Sequence, residues 1–339
     1  MKTIIEVKNL KVHFPIGASR FFIKNQKQLK AVDGVSFKVK QGETFGLVGE
    51  SGSGKTTLGR AILRLIEPTA GEILVNFNDE TVAFSDLKYK ELRSFWRHMQ
   101  MVFQDPYASL NPRMTVKEII GESLLANNLA RGKELEKQVI AIAGLCHLNI
   151  EQLGRYPHAF SGGQRQRIAI ARALVMHPQF IVADEPVSSL DVSIQAQILN
   201  LMKDLQKELG LTYLFIAHDL GAVAYVCDRV AVMYLGQIVE LATTEQLYYT
   251  PRHPYTEALM SAIPSLDPEQ PMKTVFLEGE QPNPANPPTG CTFHPRCRYA
   301  DNEKCSKESP PFRELSDSWF VACHFAEKLN LMGSKGYSN

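Results

Sequence analysis

Apolar residues recur along this chain at two spacings. Short alternating runs, Ile4-Ile5-Glu6-Val7 and Val35-Ser36-Phe37-Lys38-Val39, predict a small antiparallel β subdomain in residues 1 to about 95. Within that region Thr44-Phe45-Gly46-Leu47-Val48 reads as a buried strand and Leu58 to Leu65 as a helix. From about residue 105 to 176 the spacing turns helical, with Val116 to Leu125, Lys133 to Leu145 and Gln164 to Met176 as the clearest stretches. The last presents Ile168, Ala171, Leu174 and Val175 on one face, and Pro178 sets its end. From Phe180 onward strand and helix alternate: Phe180 to Ala183, Ser193 to Leu209, Leu211 to Ala217, Arg229 to Tyr234. Such alternation predicts an α/β fold, a mostly parallel sheet core interrupted by a helical insert. After Pro251 the texture changes. Pro264, Pro268, Pro271, Pro282, Pro284, Pro287 and Pro288 punctuate a linker-like stretch, which sets an expected boundary near residue 255 and leaves 256–339 as an extension.

Composition adds limits. With 339 residues, 44% of them apolar, two domains and a sizeable core are expected, and a net charge of +1 gives no sign of a polyanionic partner. The basic, irregular stretch from Pro15 to Lys30 (Arg20, Lys24, Lys27, Lys30) reads as a solvated hairpin in preference to a membrane-surface contact. No run approaches the ~18 apolar residues of a membrane span, and the start of the chain lacks the apolar core of a secretory signal. A cytosolic chain is expected, one that can still dock on a membrane protein. Its six cysteines then read as thiols or metal ligands rather than disulfides.

Candidate chemistry begins at Gly49-Glu50-Ser51-Gly52-Ser53-Gly54-Lys55-Thr56, a P-loop between the predicted strand and helix. Its backbone N–H groups can close on phosphate oxygens at a helix start, Lys55 can reach the β- and γ-phosphates, and Thr56 can ligate Mg²⁺. Asp184-Glu185 ends a buried strand at the carboxyl edge of the sheet, where α/β ligands bind. Asp184 can hold the Mg²⁺ shell and Glu185 can orient and polarise an attacking water. His218 ends the next apolar strand and can donate to the γ-phosphate; Gln104 follows Val102-Phe103 and can contact Mg²⁺ or the water. Ser161-Gly162-Gly163-Gln164 opens a helix, and bare N–H groups with the helix dipole make a second anion site. Two phosphate-binding elements in one chain imply that the second serves a partner's nucleotide.

Taken together, these residues resemble an ABC transporter ATPase: Walker A at Gly49 to Thr56 with Thr57 beside it, Q-loop Gln104, signature Phe160 to Gln164, Walker B Phe180 to Glu185, D-loop Ser188-Ser189-Leu190-Asp191 and switch His218. The signature begins with Phe160 where the family usually has Leu, a position that packs rather than touching phosphate. Tyr156-Pro157-His158, Asp191 to Gln197 and His253-Pro254-Tyr255-Thr256 further resemble the F-type ATP-binding subunits of bacterial dipeptide/oligopeptide importers. The resemblance implies a D-type ATP-binding subunit as heterodimer partner, two transmembrane permease subunits, an extracytoplasmic substrate-binding protein, and a peripheral place at the cytoplasmic face of the membrane. It also implies that Phe14 stacks on adenine, that Ser161 and Gly163 face the partner's γ-phosphate, and that Asp191 crosses the dimer interface. Related systems import nickel, glutathione or oligosaccharides. A soluble ABC protein acting on ribosomes or DNA is disfavoured, because the chain has one cassette and no strong basic surplus, so no nucleic acid is expected; intact Glu185 and His218 argue against a regulatory subunit without hydrolysis.

Four cysteines, Cys291, Cys297, Cys305 and Cys323, fall in the extension without the C-x-x-C spacing of common zinc ribbons. They could hold a metal or remain thiols. The family resemblance of Gly290-Cys291, Pro295-Arg296-Cys297 and Ala322-Cys323-His324 implies a [4Fe-4S] cluster, with zinc or free thiols as the alternatives. His294 and His324 are poor ligand candidates beside four sulfurs, and Cys146 and Cys227 read as packed residues.

Overall fold

The computed structural model describes residues 2–16, 27–77, 80–263 and 275–334. Arg20 and Lys24 of the basic stretch, and Pro264, Pro268 and Pro271, lie outside the described residues. In chain order the strands are β1 (Thr3–Pro15), β2 (Gln28–Lys40), β3 (Thr44–Val48), β4 (Ala70–Phe77), β5 (Glu80–Ala83), β6 (Met99–Val102), β7 (Phe180–Asp184), β8 (Thr212–Ile216), β9 (Arg229–Tyr234), β10 (Gln237–Thr243), β11 (Arg313–Ser316) and β12 (Trp319–Val321). The helices are α1 (Lys55–Ile62), α2 (Tyr89–Trp96), α3 (Pro106–Ser109), α4 (Val116–Ala126), α5 (Gly132–Leu145), α6 (Gly162–Leu174), α7 (Val192–Leu209), α8 (Leu220–Val226), α9 (Thr244–Tyr249) and α10 (Pro254–Ser261).

The chain divides into two compact units. One consists of Met1–Ile4, Val39–Thr44 and Val75–Ala217. Its strands β8, β7 and β6 lie side by side in parallel, with Val102 opposite Ala183 and Asp184 opposite Ile216. Parallel strands covered on both faces need nearly continuous apolar sequence, and β7 and β8 are buried at every position. This register delivers the chain from β6 and β7 to the same carboxyl edge. The predicted helical insert is present as α4, α5 and α6 packed on one another. Helix α6 starts at Gly162, two residues before the expected start. Ser161 caps it, accepting from the Gln164 N–H while the Gln164 side chain accepts from the Ser161 N–H, so both glycines fall inside the first turn.

The other unit consists of Ile5–Lys38, Phe45–Leu74 and His218–Asn339. It holds a sheet with β1 between β2 and β4, and a second run in the order β11-β12-β10-β9-β3. Strands β1 and β2 are 13 residues each, longer than their alternating apolar runs, because exposed positions such as Lys8 and Asn9 fit a sheet with a wet face. Strand β3 pairs in parallel with β9, Leu47 opposite Ala231, while β9–β10, β10–β12 and β11–β12 are antiparallel. Helix α10 runs across the position where the composition changes. Pro254 stands at its first turn, where a missing N–H costs nothing. Beyond it, Val321, Cys323 and Ala326 form a small core joined by Leu315, Phe325 and Leu329.

Candidate active site

The P-loop leaves β3, whose five residues are all buried, and ends at α1. No acidic side chain stands in the first turn of α1, so the positive end of the helix is left for an anion. Gly54, at φ 104°, adopts a left-handed conformation, and a Cβ there would lie 2.0 Å from the Ala31 carbonyl oxygen and 2.9 Å from Met233 Cε. The close approach admits glycine alone. The Gly236 N–H donates to the Ser53 carbonyl at 2.9 Å, and the Asp33 N–H donates to the Gly236 carbonyl at 2.8 Å, so the β9–β10 turn braces the loop. Lys55 is buried, its Nζ donating to the carbonyls of Gly49 and Glu50 at 2.8 and 2.9 Å. The ammonium is thus held at the centre of the loop on partners that phosphate oxygens can replace.

In the β8-β7-β6 unit, Asp184 is the buried last residue of β7. Glu185 follows in the left-handed region, φ 46°, an uncommon state for a residue with a Cβ and one that concentrates at functional sites. Its N–H donates to the Ile216 carbonyl at 2.8 Å, and Ser188 Oγ donates to its carbonyl at 3.1 Å. Gln104 lies two residues beyond β6, and its Nε2 donates to Glu185 Oε2 at 2.9 Å. The parallel register explains this meeting, because each residue is two steps past the Val102–Ala183 pair.

Ser161, Gly162, Gly163 and Gln164 form the first turn of α6. A Cβ on Gly163 would lie 2.5 Å from Ile194 Cγ2, so this glycine sets how closely α6 approaches α7. Phe160 is buried. Asp191, exposed at the head of α7, makes no side-chain capping bond, while Gln195 Nε2 ties the preceding loop by donating to the Val187 and Leu190 carbonyls at 3.0 Å each. His218 is exposed two residues after β8 and precedes Asp219, the cap of α8. Phe14, near the end of β1, is 36% exposed. Tyr255 and Arg296 also reach the P-loop, both at Glu50. Both lie in stretches notable in the sequence, but no local pattern ties them to Glu50.

All four extension cysteines line one small cavity, together with His253, Phe293, His294, Tyr299 and His324. Burial pushes the Cys291 thiol up, Cys297 to about 11 and Cys323 to about 12, and repulsion from the neighbouring cysteines adds to it. His294 Nδ1 faces the Cys291 carbonyl at 2.8 Å and His324 Nε2 the Glu308 carbonyl at 2.9 Å. Among the described residues no group of three or more His, Cys, Asp or Glu is placed to hold a metal ion. Cys146 and Cys227 are buried elsewhere, and burial raises both thiols, Cys146 to about 12.

Two family patterns match this chain: ABC transporter over residues 32–188, and oligopeptide/dipeptide transporter, C-terminal region, over residues 239–305. The oligopeptide transport ATP-binding protein AppF of Bacillus subtilis (strain 168) is 51% identical over 95% of this chain and 97% of its own length. A putative peptide import ATP-binding protein of Brucella ovis is 53% identical over 91% of this chain and 95% of its own. Among solved structures, the post-hydrolysis dimer of the ATP-binding cassette MJ0796 bound to ADP and Pi matches with a TM-score of 0.61 at 28% identity, covering 71% of this chain and 99% of that one.

Proposed function

The chain belongs to the ABC transporter ATP-binding subunits of oligopeptide and dipeptide transporters, and from that premise we propose that it hydrolyses ATP to power import of di- or oligopeptides. The observation that carries the chemistry is Glu185, fixed in a left-handed turn and hydrogen-bonded by Gln104 at the carboxyl edge of the sheet. A carboxylate so held can accept a proton from a water that Gln104 helps orient. The N–H groups of Ser51 to Thr56 receive the phosphates, and Lys55 exchanges its loop carbonyls for β- and γ-phosphate oxygens. His218 donates to the γ-phosphate, and Phe14 stacks on adenine. Thr56, Asp184 and Gln104 offer the hard oxygen donors that suit Mg²⁺, which when bound neutralises phosphate charge. Ser161, Gly162, Gly163 and Gln164 serve the nucleotide of a D-type partner, and exposed Asp191 couples the two sites.

Among the described residues no helix is long and apolar enough to cross a membrane. As in the transporters that its relatives serve, peptide passes through two permease subunits fed by a substrate-binding protein, with this chain peripheral at the cytoplasmic face. Residues 1–255 are assigned to the ATPase and 256–339 to the importer-specific extension. ATP-dependent uptake of labelled peptide by the reconstituted transporter is expected with this chain and absent with Lys55→Ala; uptake that ignores Lys55 would count against the reading.

The four-cysteine cavity is assigned to a [4Fe-4S] cluster. Four cysteines line one cavity, and cysteine sulfur is the ligand such a cluster takes. A bound cluster supplies positive iron against thiols whose mutual repulsion opposes ionisation. Chain purified without oxygen is expected to hold about four irons and four acid-labile sulfides. Zinc, or no metal, would overturn the assignment.

A further inference from the structure

Glu50 makes two contacts that phosphate binding does not require. Its N–H donates to Tyr255 Oη at 2.8 Å, and its carboxylate accepts from Arg296 Nη1 and Nη2 at 2.8 and 3.1 Å. The pair is largely out of water, with the Arg296 side chain 8% exposed and that of Glu50 27%. Arg296 directly precedes Cys297, and its guanidinium lies over the Tyr234 ring, 6.0 Å from the centroid. Tyr234, Tyr255 and Phe293 pack with ring centroids 4.7 to 5.4 Å apart, a rigid bed between the loop and the cysteine cavity. A two-pronged guanidinium–carboxylate pair fixes distance and plane together. The Glu50 carbonyl in turn accepts from Lys55 Nζ and from the Ser53 N–H at 3.2 Å, so displacing Glu50 displaces the lysine and the loop. Arg296 also neutralises a carboxylate that otherwise adds repulsion beside a triphosphate.

We propose that Arg296 is a positioning residue for ATP binding: it holds Glu50, and through it the P-loop, so that the cysteine-bearing extension sets nucleotide affinity. This rests on the P-loop being the ATP site. ATP affinity of the full-length chain, measured calorimetrically, tests it. Arg296→Gln is expected to weaken ATP about tenfold, and the double variant Arg296→Gln/Glu50→Gln to weaken it no further, because Arg296 acts through Glu50 and the two losses are one. Arg296→Lys, which keeps the charge and loses the fork, should weaken ATP about threefold and reads the proposal should the Gln variant fail to fold. In the assembled transporter the loss appears in KM for ATP, with kcat within about twofold. Arg313→Gln breaks another two-pronged pair in the extension, to Glu327 at 2.7 and 2.8 Å, and should leave ATP affinity unchanged. Wild-type affinity in both Arg296 variants, a clear further loss in the double variant, or an equal shift in Arg313→Gln overturns the proposal. Undiminished affinity in Lys55→Ala would instead bring down the ATP-site reading beneath it.

Discussion

Glu185 is held by its own backbone bond to Ile216, by Ser188 and by Gln104, so exchanging its carboxylate for an amide changes proton affinity with little change of shape. Glu185→Gln is expected to keep ATP affinity within about twofold and to lower turnover of the assembled transporter at least ~100-fold; turnover near wild type would remove Glu185 from the reaction. A second carboxylate, Glu240 on β10, is completely buried and accepts from the N–H groups of Arg252 and His253 and from the Trp319 indole at 2.8 to 2.9 Å. Burial raises it from 4.5 to about 7 against the pull of those donors. A raised carboxylate binds its proton more tightly in the folded chain, so its contribution to stability is full below 4.5 and lost as pH climbs through 7. The melting temperature of wild type relative to Glu240→Gln is therefore expected to fall between pH 5 and 7.5, and a flat difference refutes the assignment. The sequence places Lys55 by a strand, a Gly-rich turn and a helix start that lie within a few residues of it, and Asp184 and Glu185 by the end of a buried apolar run. Glu240 interrupts an apolar run and Arg296 meets Glu50 only through the tertiary fold, so no periodicity marks either.

At the level of elements, the contact of α6 with α7 depends on one missing side chain. Gly163→Ala drives its new Cβ against the stiff, β-branched Ile194 and is expected to cost about 1–3 kcal/mol and to lower ATPase activity. Adding Ile194→Ala should return the melting temperature toward wild type, and failure to do so would show that the crowding lies elsewhere. Helix α6 and strands β7, β8 and β9 could be read directly, since each is a sustained pattern bounded by turn residues. Strand β10 and helix α10 could not. Glu240 breaks the first, and the second begins at Pro254, just past the change of texture after Pro251, where a linker-like stretch is expected. Strand β12 has three residues and acquires its identity only from pairing, Leu241 opposite Phe320 and Glu240 opposite Val321.

Across the whole molecule, the extension is legible as a change of composition, whereas its attachment to β10 is not. Ladder bonds, the Ala322 N–H on the Val239 carbonyl at 2.8 Å and the Trp319–Glu240 bond fasten it there. A chain ending at Ile263 bares one edge of β10 and is expected to self-associate at micromolar concentration, visible by light scattering; a monodisperse truncated chain would show that the edge needs no cover. The same pairing sets a schedule for biosynthesis. At roughly 5–20 residues per second, the ribosome delivers Trp319 several seconds after Thr243. Throughout that interval the nascent chain carries an unpaired apolar margin. Slow codons or pauses between the two strands lengthen the exposure, and a holdase chaperone shortens its consequences, so yield in the cell follows translation timing as well as the stability of the finished fold.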